Sequence, residues 1–471
     1  MSVREPTLYA LAFIGVLGAC TAPKQARDDA RESVQRELDA RLGTLPRDEP
    51  GVVAEARVRA LLEGGVDEDE AVRIALLANR SITANVAELG VHAADLAQAS
   101  LWANPILDVG FLFFGDGTEI DLGLSQSFVD VFLRPGRTEV AEHELEAARA
   151  RVARAIVGHA FATRRAHVAA LAARSRLELE TRRAAATEAA VDLARRLYDA
   201  GNFTARDTAQ EEAELAARLL ERSAAESAYL SAREELTREL GLFGEAANFE
   251  LVGTLRSDPA FGLDLERVES RAIASSLDLA ERRAHGAALA RAAGTATLEA
   301  RLPGASVGVG AAKDHDSSEW GVGPRGSIGI PLADGGGARR FEADSRLAAA
   351  EAEHWMRAVE IRSYARTFRD RLRSLDADAR FARDVHVPAE RRVVEETLRN
   401  YNAMQVGAFD VLRAQGLEIG AERHAVALLA EAWKARLDLE ELLAGSANGA
   451  RIEVDGHASA RLAARTGQGG H

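Results

Sequence analysis

Apolar residues recur at helical spacing along most of the chain, and the period changes to two in two places. Asp67, Glu68, Asp69 and Glu70 put acids in a first turn, and Ala71, Ile74, Ala75, Ala78 and Ile82 follow on one face. The pattern predicts a helix to about Leu101. Asn104-Pro105 ends it, because proline disfavours helix at the residue before it. Leu107, Val109, Phe111 and Phe113 then alternate. After Gly115-Asp116-Gly117 the alternation resumes at Ile120, Leu122 and Leu124, with Asp121, Gly123 and Ser125 between them. This predicts a β-hairpin over 106–128 with one apolar and one polar face.

After Pro135-Gly136 a helix is expected from about Arg137 to Tyr198, roughly 60 residues and roughly 90 Å at 1.5 Å per residue. Leu145, Ala148, Val152 and Ile156 trace a coiled-coil seam on it. A break at Asp199-Ala200-Gly201-Asn202 leads to a helix over about Ala205 to Leu242, which returns antiparallel as a helical hairpin. The same order follows again. A helix over about Leu265 to Ala300 is stopped by Leu302-Pro303, and Val307, Val309 and Ala311 alternate with small residues. A charged loop, Lys313 to Glu319, leads to alternating Ile328 and Ile330, giving a second hairpin over 304–332. Ten of the 39 glycines fall between 303 and 337, so one face of this hairpin is narrow or crowded. Helices from about Ala338 to Asn400 and on to about Leu443 complete the half, with Val426, Leu429, Trp433 and Leu437 as a seam and Pro388 as a site for a kink.

The order is an internal repeat. Tyr198 to Asp207 and Tyr401 to Asp410 share Tyr, Ala two on and Asp nine on, at an offset of 203 residues. Pro105 and Pro303 lie 198 apart. Repeat 1 is placed at 51–250, repeat 2 at 251–446 and a flexible tail at 447–471. Composition agrees: 47% of the 471 residues are apolar but only 5% aromatic, the profile of long helices with thin side chains. A net charge of −14 argues against nucleic acid as a partner.

The single cysteine excludes a disulfide framework and a Cys-based zinc cluster. Residues Thr7 to Ala19 form an uncharged run of 13, too short to span a bilayer, which takes about 20, and of the length of a signal-peptide core. The run ends Leu17-Gly18-Ala19-Cys20, which resembles the lipobox of bacterial lipoproteins. That resemblance implies cleavage of residues 1–19 and acylation of Cys20, and Thr21 in the next position implies outer-membrane sorting. Residues 20–50, with Pro23, Pro46 and Pro50, read as a lipidated tether.

Two strands are too few for an independent sheet, and strands exposed to lipid must close into a barrel because open edges leave backbone groups unpaired. Four strands per chain require oligomerisation. Helices of roughly 90 Å exceed a bilayer core of roughly 30 Å and extend into water. With Ala-Asn-Pro105, the Pro303 and Gly337 boundaries and the two Tyr-x-Ala-x6-Asp turns, the chain resembles the TolC-like outer-membrane efflux protein family over about residues 51–446. Cys20 places the resemblance with the lipidated branch serving drug or heavy-metal pumps. The implied fold is mainly α with a small β part, three protomers forming a 12-stranded barrel and a periplasmic helical tunnel.

The resemblance further implies a passive channel of a tripartite efflux system, with an adaptor protein and an inner-membrane pump as partners. Carried over, adaptor docking falls on Tyr198, Gly201, Asn202, Thr204, Gln405, Val406 and Gly407; Met404 stands where family tips usually have glycine. Tyr401, Asp410 and Asp207 fall at the periplasmic gate, although both aspartates also suit a helix N-terminus. A second aspartate sometimes found three residues on is Arg413 here. The alternatives are a periplasmic coiled-coil adaptor or scaffold lipoprotein, and the outer duct of a type I secretion system. No Walker loop, nucleophile elbow or His-Glu-x-x-His occurs, and neither an enzyme nor a metal or cofactor site is expected. His159 and His167, eight apart, read as seam or surface residues. Trp102 and Trp320, in or beside the hairpins, suit an interfacial belt or ordinary packing.

Overall fold

The computed structural model describes residues 22–43, 51–114, 117–301, 304–313, 319–330 and 336–447. Cys20 and the signal segment, the Gly115-Asp116 turn, Leu302-Pro303, the loop residues 314–318 and the tail beyond 447 lie outside the described residues. The stretch read as a tether is helical from Ala22 to Leu42 (α1). It buries Ala30, Val34 and Leu38, a spacing of four that is easily overlooked among so many charges. Helix α2 covers Gly51–Glu63.

The acids at 67–70 form a reciprocal cap. An Asp67 carboxylate oxygen accepts the Glu70 N–H at 2.8 Å, and Glu70 accepts the Asp67 N–H at 3.1 Å, starting α3 at Glu68–Ala78. The single helix expected to Leu101 is interrupted at Asn79, and α4 covers Arg80–Ser100. Asn79 is extended because its amide donates to the Glu239 carbonyl at 2.9 Å while its oxygen accepts the Ser81 N–H. Gly241 lies against it in a left-handed conformation (φ +71°); a Cβ there would sit 2.7 Å from Asn79 Cα.

Strands β1 (Ile106–Phe114) and β2 (Gly117–Ser127) form the first hairpin. Helix α5 then runs through Asp130–Asp199, starting seven residues before the sequence-based limit and carrying Pro135 near its start. Helix α6 covers Ala205–Leu240, α7 Val268–Ser275 and α8 Leu277–Arg301. Strands β3 (Ser306–Lys313) and β4 (Trp320–Ser327) make the second hairpin. Here the sequence reading is corrected: Ile328 and Ile330 follow the strand, and β4 consists of Trp320-Gly-Val-Gly-Pro-Arg-Gly-Ser327. Glycine and proline are poor strand formers, and Pro324 is accommodated because β4 is an edge strand. Helix α9 covers Gly337–Phe381. A five-residue π-helical turn, Ala382–His386, separates it from α10 (Val387–Asn402), whose second residue is Pro388; α11 covers Ala408–Leu443.

The chain divides into two compact units. In the first, all four strands join one antiparallel sheet in the order β1-β2-β3-β4, so β2–β3 pairing unites the two hairpins. The register puts Leu107, Val109, Phe111 and Phe113 beside Leu124, Leu122 and Ile120, then beside Val309 and Ala311, then Pro324 and Val322. This face is uncovered: Phe113 is 81% and Val322 70% exposed. On α5 the predicted seam holds, with Leu145, Ala148 and Val152 buried. Asp278 of α8 is also buried there. Burial alone would raise its pKa, but the guanidiniums of Arg357, Arg154 and Arg282 outweigh it and hold the carboxyl below its usual range.

The second unit packs Ile74 and Ala75 of α3 with Ala170 and Leu171 of α5 and Leu236 and Leu240 of α6. Phe249 and Leu251 close this core, and Val66 and Leu251 form a single parallel bridge. Trp433 and Leu437 are buried as the seam predicted. His167 is buried, one ring nitrogen 3.3 Å from the Val66 carbonyl; His159 lies 3.4 Å from Glu239. Burial lowers the His167 pKa below its ordinary 6.5, more than the Val66 carbonyl and nearby Asp67 and Glu68 raise it. The folded state therefore takes the proton less readily than the unfolded one. No penalty exists above about pH 6.5, and stability is lost as pH falls below it toward the folded-state pKa. His167→Gln should flatten the decline of the unfolding temperature between about pH 7 and pH 5, measured by thermal melts; a wild-type slope in the variant would refute this account.

Candidate functional site: two matched helical turns

The two turns joining long helices in the second unit, at 198–207 and 401–410, have the same backbone construction despite differing residues. In the first, Gly201 N–H donates to the Tyr198 carbonyl at 2.9 Å and Asn202 N–H to the Leu197 carbonyl at 2.8 Å. In the second, Met404 N–H donates to Tyr401 at 2.9 Å and Gln405 N–H to Asn400 at 2.8 Å. This is the closure of a helix whose terminal carbonyls are satisfied by a left-handed residue. That residue is Gly201 (φ +74°) in one turn and Met404 (φ +60°) in the other. The departure noted at Met404 is thus chemical and not conformational. Its side chain stands 95% exposed.

The following helices start alike. Thr204 caps α6 by accepting the Asp207 N–H at 3.1 Å, and its hydroxyl donates to the Asp207 carboxylate at 2.6 Å. Asp410 accepts the Gly407 N–H at 3.0 Å while its own N–H donates to the Gly407 carbonyl at 3.1 Å. Arg413 lies 3.8 Å from the Asp410 carboxylate. Both aspartates therefore stabilise a helix N-terminus, and the Asp410 side chain is still about half exposed. Tyr198 and Tyr401 are 48% and 43% exposed. Two phenylalanines that sequence reasoning missed tie the turns together: Phe203 and Phe409 stack with ring centroids 5.0 Å apart and planes within 15°. The available signal was one phenylalanine in each turn of a chain otherwise poor in aromatics.

Away from the turns, Trp320 begins β4, and Trp102 lies just before β1 with the Arg134 guanidinium 4.6 Å from its ring. A cleft of about 380 Å³ in the second unit sits beside the π-helical turn, lined by Leu179, Arg383, Val387, Val426 and Leu429. This explains why the predicted seam residues Val426 and Leu429 are only half-buried. Among the described residues no group of three or more His, Cys, Asp or Glu is placed to hold a metal ion, and no helix is long and apolar enough to cross a membrane.

Paired helical hairpins with matched turns thus accompany one four-stranded antiparallel sheet whose apolar face is exposed among the described residues. Residues 72–242 match the family of outer membrane efflux proteins. The chain resembles that family by sequence over this segment and by fold over most of its length. The fold of VceC, an outer membrane protein from Vibrio cholerae, matches with a TM-score of 0.66 at 17% identity over 83% of this chain and 97% of that one. CusC, described in relation to transmembrane channel formation, matches with 0.66 at 13% identity over 83% and 92%. The Neisseria gonorrhoeae outer membrane channel MtrE matches with 0.63 at 15% identity over 83% and 89%. No curated protein matches the sequence.

A left-handed residue with a side chain costs on the order of 1 kcal/mol relative to glycine. Met404→Gly should slow amide exchange at residues 404 and 405 roughly fivefold, and Gly201→Ala should accelerate it at 201 and 202 by a similar factor. Hydrogen exchange with mass spectrometry reads both; equal exchange in variant and wild type would refute the assignment of strain.

Proposed function

We propose that the chain is one protomer of a homotrimeric outer-membrane channel that passively exports small molecules or metal ions delivered by an inner-membrane pump through a periplasmic adaptor. The observation that carries this reading is the sheet. Its apolar face has no cover in the described chain, and β1 and β4 leave two edges open. In lipid each open edge would leave a row of backbone groups unpaired, at several kcal/mol per group. Three copies joined edge to edge, β4 to β1, give twelve strands and no edge. Exposed apolar side chains on the helices, Trp355, Met356 and Val359 on α9 and Leu220 and Leu230 on α6, support burial against further copies of the chain.

The two matched turns are the docking surface for the adaptor in this reading, with Tyr198, Gly201, Asn202 and Thr204 in one and Gln405, Val406 and Gly407 in the other. Tyr401, Asp410 and Asp207 form the gate. Three copies of Asp410 would set a ring of carboxylates, partly offset by Arg413, that favours cations. Capping and gating are compatible, since a cap that must be broken for the helices to part raises the cost of opening. Cys20 carries the acyl anchor.

The purified protein should migrate as a heat-modifiable trimer and conduct in planar bilayers. Asp410→Ala should raise the open probability, and Cys20→Ser should abolish incorporation of labelled fatty acid while leaving the trimer intact. Recovery only as a peripheral monomer that never conducts would overturn the channel reading; a wild-type open probability in Asp410→Ala would assign that residue to capping alone.

A further inference from the structure

The face of the sheet opposite the apolar one is rich in glycine and carries four charges, Asp108, Glu119, Asp121 and Arg325. On it lie Asp108 and Gly110 of β1, Asp121 and Gly123 of β2, Gly308 and Gly310 of β3, and Gly323 and Arg325 of β4. The register sets Asp121 opposite Gly110, Asp108 opposite Gly123, Gly123 opposite Gly310 and Arg325 opposite Gly308. Arg325 uses the bare lane. Its Nε lies 2.6 Å from where a Cβ on Gly310 would stand, and one terminal nitrogen 2.9 Å from the same point on Gly123, so any side chain at either position would displace it. The guanidinium crosses β3 in this way and pairs with the carboxylate of Asp121 on β2. Asp108 of β1 flanks the same spot, its carboxylate oxygen 3.6 Å from the Cβ position of Gly123. One side chain thus spans from the last strand of the second hairpin to the first hairpin, 204 residues away.

Stability is a poor reason for this arrangement. The pair is partly exposed to solvent, where such a bridge contributes little, while a glycine inside a strand is destabilising. What the lane achieves is placement: a cation pressed flat against the wall between two carboxylates, with no neighbouring side chain to fill the space in front of it. We propose that Asp108, Asp121 and Arg325 are the ion-selecting group of the barrel lumen. The assignment rests on the channel reading, since it needs the glycine face turned inward and the apolar face toward lipid. The three side chains sum to a net −1 per protomer and −3 in three copies, and Glu119 on the same face adds a further −3, so the lining favours cations. Arg325 is the residue that keeps this preference low.

The test uses full-length trimers in planar bilayers under a potassium chloride gradient, reading the reversal potential. Arg325→Gln changes the net charge of the three-residue group, summed over three copies, from −3 to −6 and should raise the cation-to-anion permeability ratio severalfold. Asp121→Asn brings that group to neutrality and should lower the ratio toward one. As a readout independent of the gate, Arg325→Cys trimers should lose conductance on reaction with a cationic methanethiosulfonate. Opposite shifts in the first two variants with block in the third support the assignment. Wild-type reversal potentials in conducting Arg325→Gln and Asp121→Asn trimers would overturn it and leave the channel reading standing. Wild-type trimers that never conduct would overturn both.

Discussion

A β-strand carries backbone donors and acceptors on both edges, and away from water every one of them needs a partner. In this chain the requirement falls on a sheet of four strands whose order leaves β1 and β4 open and whose one apolar face is bare. Among the described residues nothing covers that face, and Phe111, Phe113, Val309 and Val322 stand exposed together. The β2–β3 pairing then acquires its meaning. It turns two hairpins, each marginal by itself, into a single four-stranded sheet, the unit that the proposed trimer would join edge to edge.

The same economy governs the helical part. Both inter-helix turns end in a left-handed residue, restart on an aspartate three positions into the next helix, and hold each other through Phe203 and Phe409. Matching hydrogen bonds at 2.8 and 2.9 Å in the two turns show that backbone geometry has been kept while Gly201 and Met404 differ. The repeat is therefore clearer in dihedral angles than in residue identity.

Much of this was legible in the sequence because it depends on local periodicity. Leu107 to Phe113 and Ile120 to Leu124 could only alternate as strands, and Leu145, Ala148 and Val152 could only be a seam. What escaped depends on partners distant along the chain. Strand β4 was misplaced because its own residues are poor strand formers, while its Arg325 reaches Asp121 over the bare positions of Gly310 on β3 and Gly123 on β2, a relation no window of ten residues contains. The stop at Asn79 is fixed by the Glu239 carbonyl 160 residues away, and the stacking of Phe203 on Phe409 by a fold that returns the chain to itself. Helix α1 was hidden by charge: three buried residues sufficed to dock it. In the turns the capping role of both aspartates was legible, but the stacking that joins the turns was not.

That first helix bears on how the protein would sit in its membrane. Helix α1 begins at Ala22, two residues after Cys20. Two residues span at most about 7 Å even when fully extended. The lipid proposed for Cys20 would therefore sit within that distance of the start of α1. Because α1 and the sheet belong to the same compact unit, the acyl chains would enter the bilayer at a set height relative to the strands. In the proposed trimer the anchor would then act as a depth gauge, setting the level at which the sheet's apolar face meets the membrane before the protomers close into a barrel.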